Sequence, residues 1–297
     1  MTTRADVVSG HESFACRYGW LPKLYEAIAE TPMLFADDEK AILTLGIGKN
    51  MVRSIRFWGH AFGLLHASDA RRLALTAFAQ QLLDPATGRD PYLADTASLW
   101  RLHWVISTTA MLAAWRVAFS EIQESEVAKQ RLHDLVYQRA VDARGTVTAA
   151  TVSQHVEIFL RSYDAARMVP TTVLEDTLSC PLQELGLLAV DAVGTPTIRF
   201  CRGPKPSLDV PAFAFAIADF WQRTAPASRT LSLRALMFEH AGPGTIFRLD
   251  EATVHQFVRT MCDDTRACDL REDGAGGVDL VGRTPNAVRT LEQYAWA

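Results

Sequence analysis

Carboxylates and imidazoles at short spacing are the parts of a metal-assisted nuclease, in which two or three of them hold a divalent cation that generates hydroxide and clamps the scissile phosphate. The chain offers four such groupings: His11 with Glu12, Asp37 with Asp38 and Glu39, Glu175 with Asp176, and Asp250 with Glu251. None has a spacing diagnostic of a metal site, and three of the four are equally what helix N-termini favour, because negative charge meets the positive end of the helix dipole there. The first grouping sits in GHESFACRYGWLPKLYEAI (residues 10–28), where His11, Glu12 and Arg17 are the candidate catalytic residues, lining a pocket or touching a phosphate. The same stretch crowds Phe14, Tyr18, Trp20 and Tyr25 around Arg17, which is also how plain cation–π packing is written.

Other chemistries lack their templates. The sequence has no G-x-x-x-x-G-K-[ST], no strand-bound G-x-G-x-x-G, no G-x-S-x-G and no H-E-x-x-H. Gly46-Ile47-Gly48-Lys49 resembles a phosphate loop only superficially, since no Ser or Thr follows and a helix, not a strand, precedes it. Five cysteines without a C-x-x-C pair argue against a zinc knuckle or a disulfide framework and read as reduced thiols.

Binding chemistry is clearer in residues 36–65, ADDEKAILTLGIGKNMVRSIRFWGHAFGLL. Asp37 is a good N-cap for a short apolar helix that Gly46 and Gly48 break. A second helix is expected from Lys49 to about Phe62, with Gly63 as its left-handed C′ residue. At about 100° per residue, Met51, Ile55, Trp58 and Phe62 share one stripe, while Lys49, Arg53, Arg56 and His60 lie on the opposite side. Two helices joined by a short glycine turn, the second carrying cations outward, match a DNA-reading helix-turn-helix. Lys49, Asn50, Arg53, Arg56 and His60 are therefore the candidate DNA contacts, against the simpler alternative of a solvated basic face.

At 297 residues with 48% hydrophobic content, the chain can bury substantial cores, and two or three domains fit its length. Net charge is −4, so any nucleic-acid contact must be local. Charge is unevenly spread: residues 46–72 hold Lys49, Arg53, Arg56, Arg71 and Arg72 against Asp69, whereas acids outnumber bases in residues 263–279. The polar opening and the absence of a long charge-free apolar run exclude a signal peptide and a membrane span, and point to a cytoplasmic protein.

The expected fold is mainly α with small β-hairpin wings, as tandem winged-helix-like units around a central helical layer. Residues 1–84 form the N-terminal helix-turn-helix or winged-helix DNA-binding domain, with residues 71–83 apolar at helical spacing. Residues 85–170 form a central helical region: a long helix capped by Thr96 or Ser98 and running to about Ser120, a charged helix over 121–143, and another capped by Thr148 or Thr151. His103 in the first of these reads as a hydrogen-bonded core histidine, since no second ligand sits at metal spacing. Residues 171–225 hold a second winged-helix-like unit, an apolar helix ending near Leu188 and a hairpin around Gly194-Thr195-Pro196. Residues 226–297 hold a third, with a helix to His240, a loop over 241–248, a helix from Asp250 or Glu251 to about Met261, and a hairpin through DGAGG at 273–277.

The strings GHESFACRYGWL, LGIGKNMVRSIRFW, DPYLADTASLWRLHW, CPLQELGLL and GTIFRLDE, in that order, resemble successive blocks of a bacterial family, a numbered domain of unknown function associated with DNA phosphorothioation that includes the SspB component of the Ssp modification and anti-phage system. The resemblance implies duplex DNA as substrate and a nicking role; a nickase is expected to use a divalent metal, Mg²⁺ or Mn²⁺, and a non-catalytic protein no cofactor. It also implies a cysteine desulfurase, an ATPase and a sulfur-transfer enzyme as partners, and it leaves a homodimer open. It carries over no catalytic residue. The residues themselves leave the competing class open, a non-catalytic DNA-binding adaptor or transcriptional regulator.

Overall fold

Short helices punctuated by glycine turns begin the chain in the computed structural model, which describes residues 6–69, 72–165, 180–272 and 276–296. Two units divide it, residues 1–118 with 126–200, and residues 119–125 with 201–297. The boundaries expected at 84/85 and 170/171 lie inside the first unit, and that at 225/226 inside the second.

The first unit opens with three helices, α1 (Trp20–Glu30), α2 (Asp38–Leu45) and α3 (Lys49–Ala61). The Asp37 carboxylate accepts from the N–H groups of Glu39 and Lys40, so the expected cap starts α2. Gly46 and Gly63, at φ 62° and 67°, take the left-handed conformation that ends α2 and closes the turn after α3. A strand pair follows, β1 (Leu65–Ala67) and β2 (Leu73–Leu75), antiparallel with Leu65 opposite Leu75. The helix expected over 71–83 is thereby shortened to α4 (Ala77–Leu83). Thr76 starts it, accepting from Ala79 N–H while its hydroxyl donates to the Gly63 carbonyl.

The long helix expected to reach Ser120 is broken into α5 (Thr96–Thr108) and α6 (Ala113–Arg116), and Asp95 is the N-cap of α5. The break has two local causes. Thr108 and Thr109 hydroxyls donate back to the Trp104 and Val105 carbonyls, each at 2.7 Å, which weakens the helix end. Val7 then pairs as an extended strand beside Leu112, donating to Met111 O and accepting from Ala113 N–H. The charged helix expected from 121 begins only at Lys129, as α7 (Lys129–Arg144), because β3 (Glu126–Ala128) is drawn into a sheet. After it comes α8 (Ala149–Tyr163), capped by Thr148 as expected. The helix expected before the second hairpin is a 3₁₀ turn over Pro181–Leu185, and its expected earlier part, 174–179, lies outside the described residues. The hairpin itself is β4 (Leu188–Asp191) with β5 (Thr197–Phe200), and β3 pairs on the far side of β5.

Aromatic rings tie these elements into one core. Trp58 of α3 packs against Trp115 of α6 with centroids 5.9 Å apart, and Trp115 packs against Phe159 of α8 at 5.1 Å. All three are buried.

The second unit contains α9 (Val210–Thr224), β6 (Thr230–Ser232), α10 (Leu233–Phe238), α11 (Pro243–Ile246), α12 (Glu251–Thr265), β7 (Cys268–Glu272), β8 (Val278–Gly282) and α13 (Ala287–Tyr294). The short α11 occupies the expected loop over 241–248. Asp250 caps α12, and the expected hairpin is present, although its tip at 273–275 lies outside the described residues. The sheet order is β6-β8-β7. Its core includes Phe213 and Val258, with Phe213 stacked on Phe257 at 4.9 Å.

One order thus occurs twice: helix, strand, helix, helix, strand, strand, with the first strand added beside the last. In the first unit it is α6, β3, α7, α8, β4, β5; in the second, α9, β6, α10, α12, β7, β8, with α11 interposed. The protein is mainly α with small antiparallel sheets. Among the described residues, no helix is long and apolar enough to cross a membrane.

Candidate nucleic-acid interface

Helix α3 presents its two faces as its periodicity implies. Val52, Ile55 and Trp58 are buried, and so is Phe62 just beyond the helix, while Lys49, Asn50, Arg53, Arg56 and His60 are all exposed. The inward face is held firmly. Trp58 Nε1 donates to the Phe14 carbonyl at 3.1 Å, and Ser54 Oγ donates to the His11 carbonyl at 3.0 Å. Gly59 lets the helix come close to its neighbours, since a Cβ there would lie 2.3 Å from Leu24 Cδ2 and 2.7 Å from Leu65 Cδ1.

The outward face carries no acid of its own between Lys49 and Ala61. Asp38 of α2 is ion-paired with it, 3.1 Å from Lys49 Nζ, with both side chains more than half exposed. Such a pair contributes little and separates readily. Arg56 lies over the Phe35 ring at 5.7 Å, so its guanidinium stem is braced while the residue remains exposed. His60 Nδ1 is 3.2 Å from the Leu65 carbonyl, which can only accept, so Nδ1 bears the proton and the ring is oriented through it. Beside α3 the β1–β2 hairpin exposes His66 and Arg72; Arg71, part of the expected basic run, lies outside the described residues.

The corresponding helices of the two recurrent units have different surfaces. Helix α8 exposes Ser153, Gln154 and Arg161, with Glu157 half-buried and ion-paired to both Lys129 and Arg161. Helix α12 exposes Glu251, Gln256, Arg259, Asp263 and Asp264. The acid-free cationic face belongs to α3.

The candidate catalytic residues do not converge. His11 is buried, and its Nε2 is 3.3 Å from Nδ1 of the stacked His155, whose own Nε2 accepts from Ala114 N–H at 3.2 Å. His155 therefore carries its proton on Nδ1 and donates it to His11, leaving the buried His11 Nδ1 without a partner. Burial pushes the two rings down to about 4 and about 3, His155 being lowered further by His11 itself. Both are neutral at neutral pH. Glu12 and Ser13 take left-handed conformations at φ 48° and 67°, and Glu12 is half-buried. Arg17 lies over the rings of Phe14 and Trp20 at 5.8 and 5.7 Å, the cation–π arrangement that its setting also allowed. No hydrogen bond or ion pair joins the side chains of His11, Glu12 and Arg17.

The other acidic groupings have structural work. Asp37 and Asp250 cap helices, Asp38 pairs with Lys49, and Glu39 and Glu251 occupy first turns. Glu175 and Asp176 lie outside the described residues. His103 is the expected core histidine, its Nδ1 2.8 Å from the Tyr163 hydroxyl, which itself accepts from Trp115 Nε1. Four of the five free cysteines are buried, and Cys201 is exposed. A further polar group, His133 with Asp134 and Ser153, was not legible as a motif, because α7 and α8 bring residues twenty apart in the sequence into contact.

Two solved structures resemble the chain closely. An SspB crystal structure matches with a TM-score of 0.81 at 30% identity, covering 97% of this chain and 85% of that one. A magnesium-ion-bound SspB crystal structure matches with a TM-score of 0.83 at 31% identity, over 96% and 87% of the two chains. No curated protein matches. Among the described residues no group of three or more His, Cys, Asp or Glu side chains is placed so that it could hold a metal ion. The model of a family of proteins of unknown function, DUF4007, matches residues 8–294, and with that coverage the chain belongs to the DUF4007 family, alongside SspB-like structures.

Proposed function

We propose that this protein is the DNA-binding component of a bacterial DNA phosphorothioate modification and anti-phage system, and that it grips duplex DNA through α3. The observation that carries the reading is the exposed, acid-free face of Lys49, Asn50, Arg53, Arg56 and His60 on a helix whose other face is locked into an aromatic core. In this reading α1, α2 and α3 are a helix-turn-helix, β1 and β2 are its wing, and the two recurrent units are further winged helices. The order of elements and the placing of the first strand beside the last support that assignment. Asn50 lies in the first turn of α3, the part of a recognition helix that meets base edges, and Lys49, Arg53 and Arg56 are the cations offered to the phosphates. The desulfurase, ATPase and sulfur-transfer enzyme are the proposed partners, working on DNA in the cytoplasm. The test is fluorescence anisotropy with a labelled duplex across a salt series. Strong, salt-dependent binding supports the reading, and binding unchanged when Lys49, Arg53 and Arg56 are all replaced by Ala overturns it.

The same reading includes the opening of one strand, with Mg²⁺ or Mn²⁺ as cofactor; the magnesium-ion-bound SspB structure supports the metal. A second reading, a non-catalytic adaptor or transcriptional regulator, is favoured by the separation of His11, Glu12 and Arg17 into a buried neutral ring, a half-buried carboxylate and an aromatic-bound cation. Incubating supercoiled plasmid with and without EDTA decides between them. EDTA-sensitive conversion to open circles selects the nickase, and binding without conversion selects the adaptor.

A further inference from the structure

In the first unit a cavity of about 500 Å³ lies against α7, α8 and the β4–β5 turn, lined by Lys129, Gln130, His133, Ser153, Gln154 and Glu157 among others. Three of these side chains, Gln130, His133 and Ser153, form a single chain of hydrogen bonds with Asp134. Gln130 Nε2 donates to Asp134 Oδ1 at 2.8 Å, and the same oxygen lies 3.4 Å from His133 Nδ1. His133 Nε2 is 3.1 Å from Ser153 Oγ. Because a carboxylate only accepts, Asp134 selects the tautomer with the proton on Nδ1, and His133 then presents a bare Nε2 to the serine hydroxyl. The ring is held in this pose by stacking on Tyr137 at an interplanar angle of 14°. Its side chain is 18% exposed, while Ser153 is exposed. A nucleophile within reach of a base that a third group orients is the signature of an activated serine.

We propose that Ser153 is a nucleophile, with His133 as its general base and Asp134 as the residue that positions His133, and that the cavity takes a neutral carboxylic ester. The ester class follows from charge. The one ammonium lining the cavity, Lys129, is 2.8 Å from the Glu157 carboxylate, so the walls bring no surplus positive charge for a phosphate, while Val156 and Pro196 add apolar surface. Ser153 Oγ adds to the carbonyl carbon as its proton passes to His133 Nε2. The adduct then collapses with cleavage of the ester C–O bond, and the departing alcohol takes that proton. Water releases the acyl group by the same route: its oxygen bonds the carbonyl carbon, its proton passes to His133, and Ser153 Oγ leaves and recovers the proton.

The experiment is labelling of the full chain with a fluorophosphonate, located by peptide mass spectrometry, together with hydrolysis of p-nitrophenyl butyrate. One adduct on Ser153 is expected, absent in Ser153→Ala and slowed about a hundredfold in His133→Ala. Asp134→Ala should slow labelling about tenfold, because His133 loses the acceptor that fixes its tautomer, and Asp134→Glu should restore the rate. The proposal is overturned by no adduct, by an adduct elsewhere, or by labelling at an unchanged rate in His133→Ala. An unchanged rate in Asp134→Ala, or no restoration by Asp134→Glu, overturns the role of Asp134. Hydrolysis of bis(p-nitrophenyl) phosphate in place of the butyrate overturns the ester class. Circular dichroism and duplex binding of each variant should match those of the unaltered protein, since none of the three residues belongs to the α3 face.

Discussion

Lys49 and Asp38 oppose each other across the turn between α2 and α3, so the same contact that holds the lysine also competes with a phosphate for it. Ala at Lys49, Arg53 or Arg56 should weaken binding to every duplex and reduce the salt slope by about 1 each. Asp38→Asn, by contrast, should tighten binding, because it frees Lys49 and removes a negative charge from the approach. Asn50, exposed in the first turn, is suited to a bidentate adenine contact of about 1–3 kcal/mol, and its loss should relax sequence preference while leaving binding to a random duplex nearly unchanged. Equal weakening on all sequences would speak against base reading. The buried His11–His155 pair yields a separate expectation about pH. Both rings sit well below their ordinary value when folded, so the unfolded chain takes up protons near pH 6.5 that the folded chain refuses until about pH 4 and about pH 3. Their contribution to stability is complete above pH 6.5 and is lost as pH falls toward 4, with a slope of up to two protons. Urea midpoints measured between pH 7 and pH 4.5 should show that loss, and His155→Gln should flatten it by about one proton.

At the scale of the element, α3 separates fold from function on a single helix. Trp58 is buried against Trp115 and Phe62, with its indole N–H bonded to Phe14 O. Truncation of such a residue costs about 3–5 kcal/mol, a large part of what holds a domain together. Trp58→Ala should therefore lower the melting temperature and lose DNA binding with it, whereas Arg53→Ala should weaken binding with melting unchanged. A Trp58→Ala protein that melts normally yet fails to bind DNA would mean that the aromatic side is the contact surface. This helix was legible in advance because thirteen residues complete more than three turns, enough for periodicity to separate its faces. The β1–β2 hairpin was not, because strands of three residues carry too little alternation, and 71–75 reads as well in a helix as in a strand. The break after Thr108 was hidden for another reason: the residue that enforces it, Val7, lies more than a hundred positions away. His11 was visible as a polar residue among aromatics, but not its partner His155, since only folding places α8 beside the N-terminal loop.

For the whole molecule, three helices stand in comparable places, α3 after its glycine turn and α8 and α12 before their hairpins, and their surfaces assign different tasks to similar frames. Only α3 turns a cationic, acid-free face outward; α12 exposes Asp263 and Asp264 beside Arg259 and would repel a polyanion. Net charge of −4 points the same way, since a chain without overall positive charge must concentrate its attraction for DNA in one place. If α3 supplies that place, three phosphate contacts from Lys49, Arg53 and Arg56 account for a salt slope of about −2.7, at about 0.9 per neutralised phosphate. Charge reversal at Arg53, Arg53→Glu, should then abolish binding at physiological salt, while Arg259→Glu, the same change on an exposed residue of α12, should leave affinity and slope as they were. Anisotropy titrations of the two variants against one duplex measure this directly. Equal losses would mean that both frames touch DNA, and a loss confined to Arg259→Glu would move the interface to the second unit altogether.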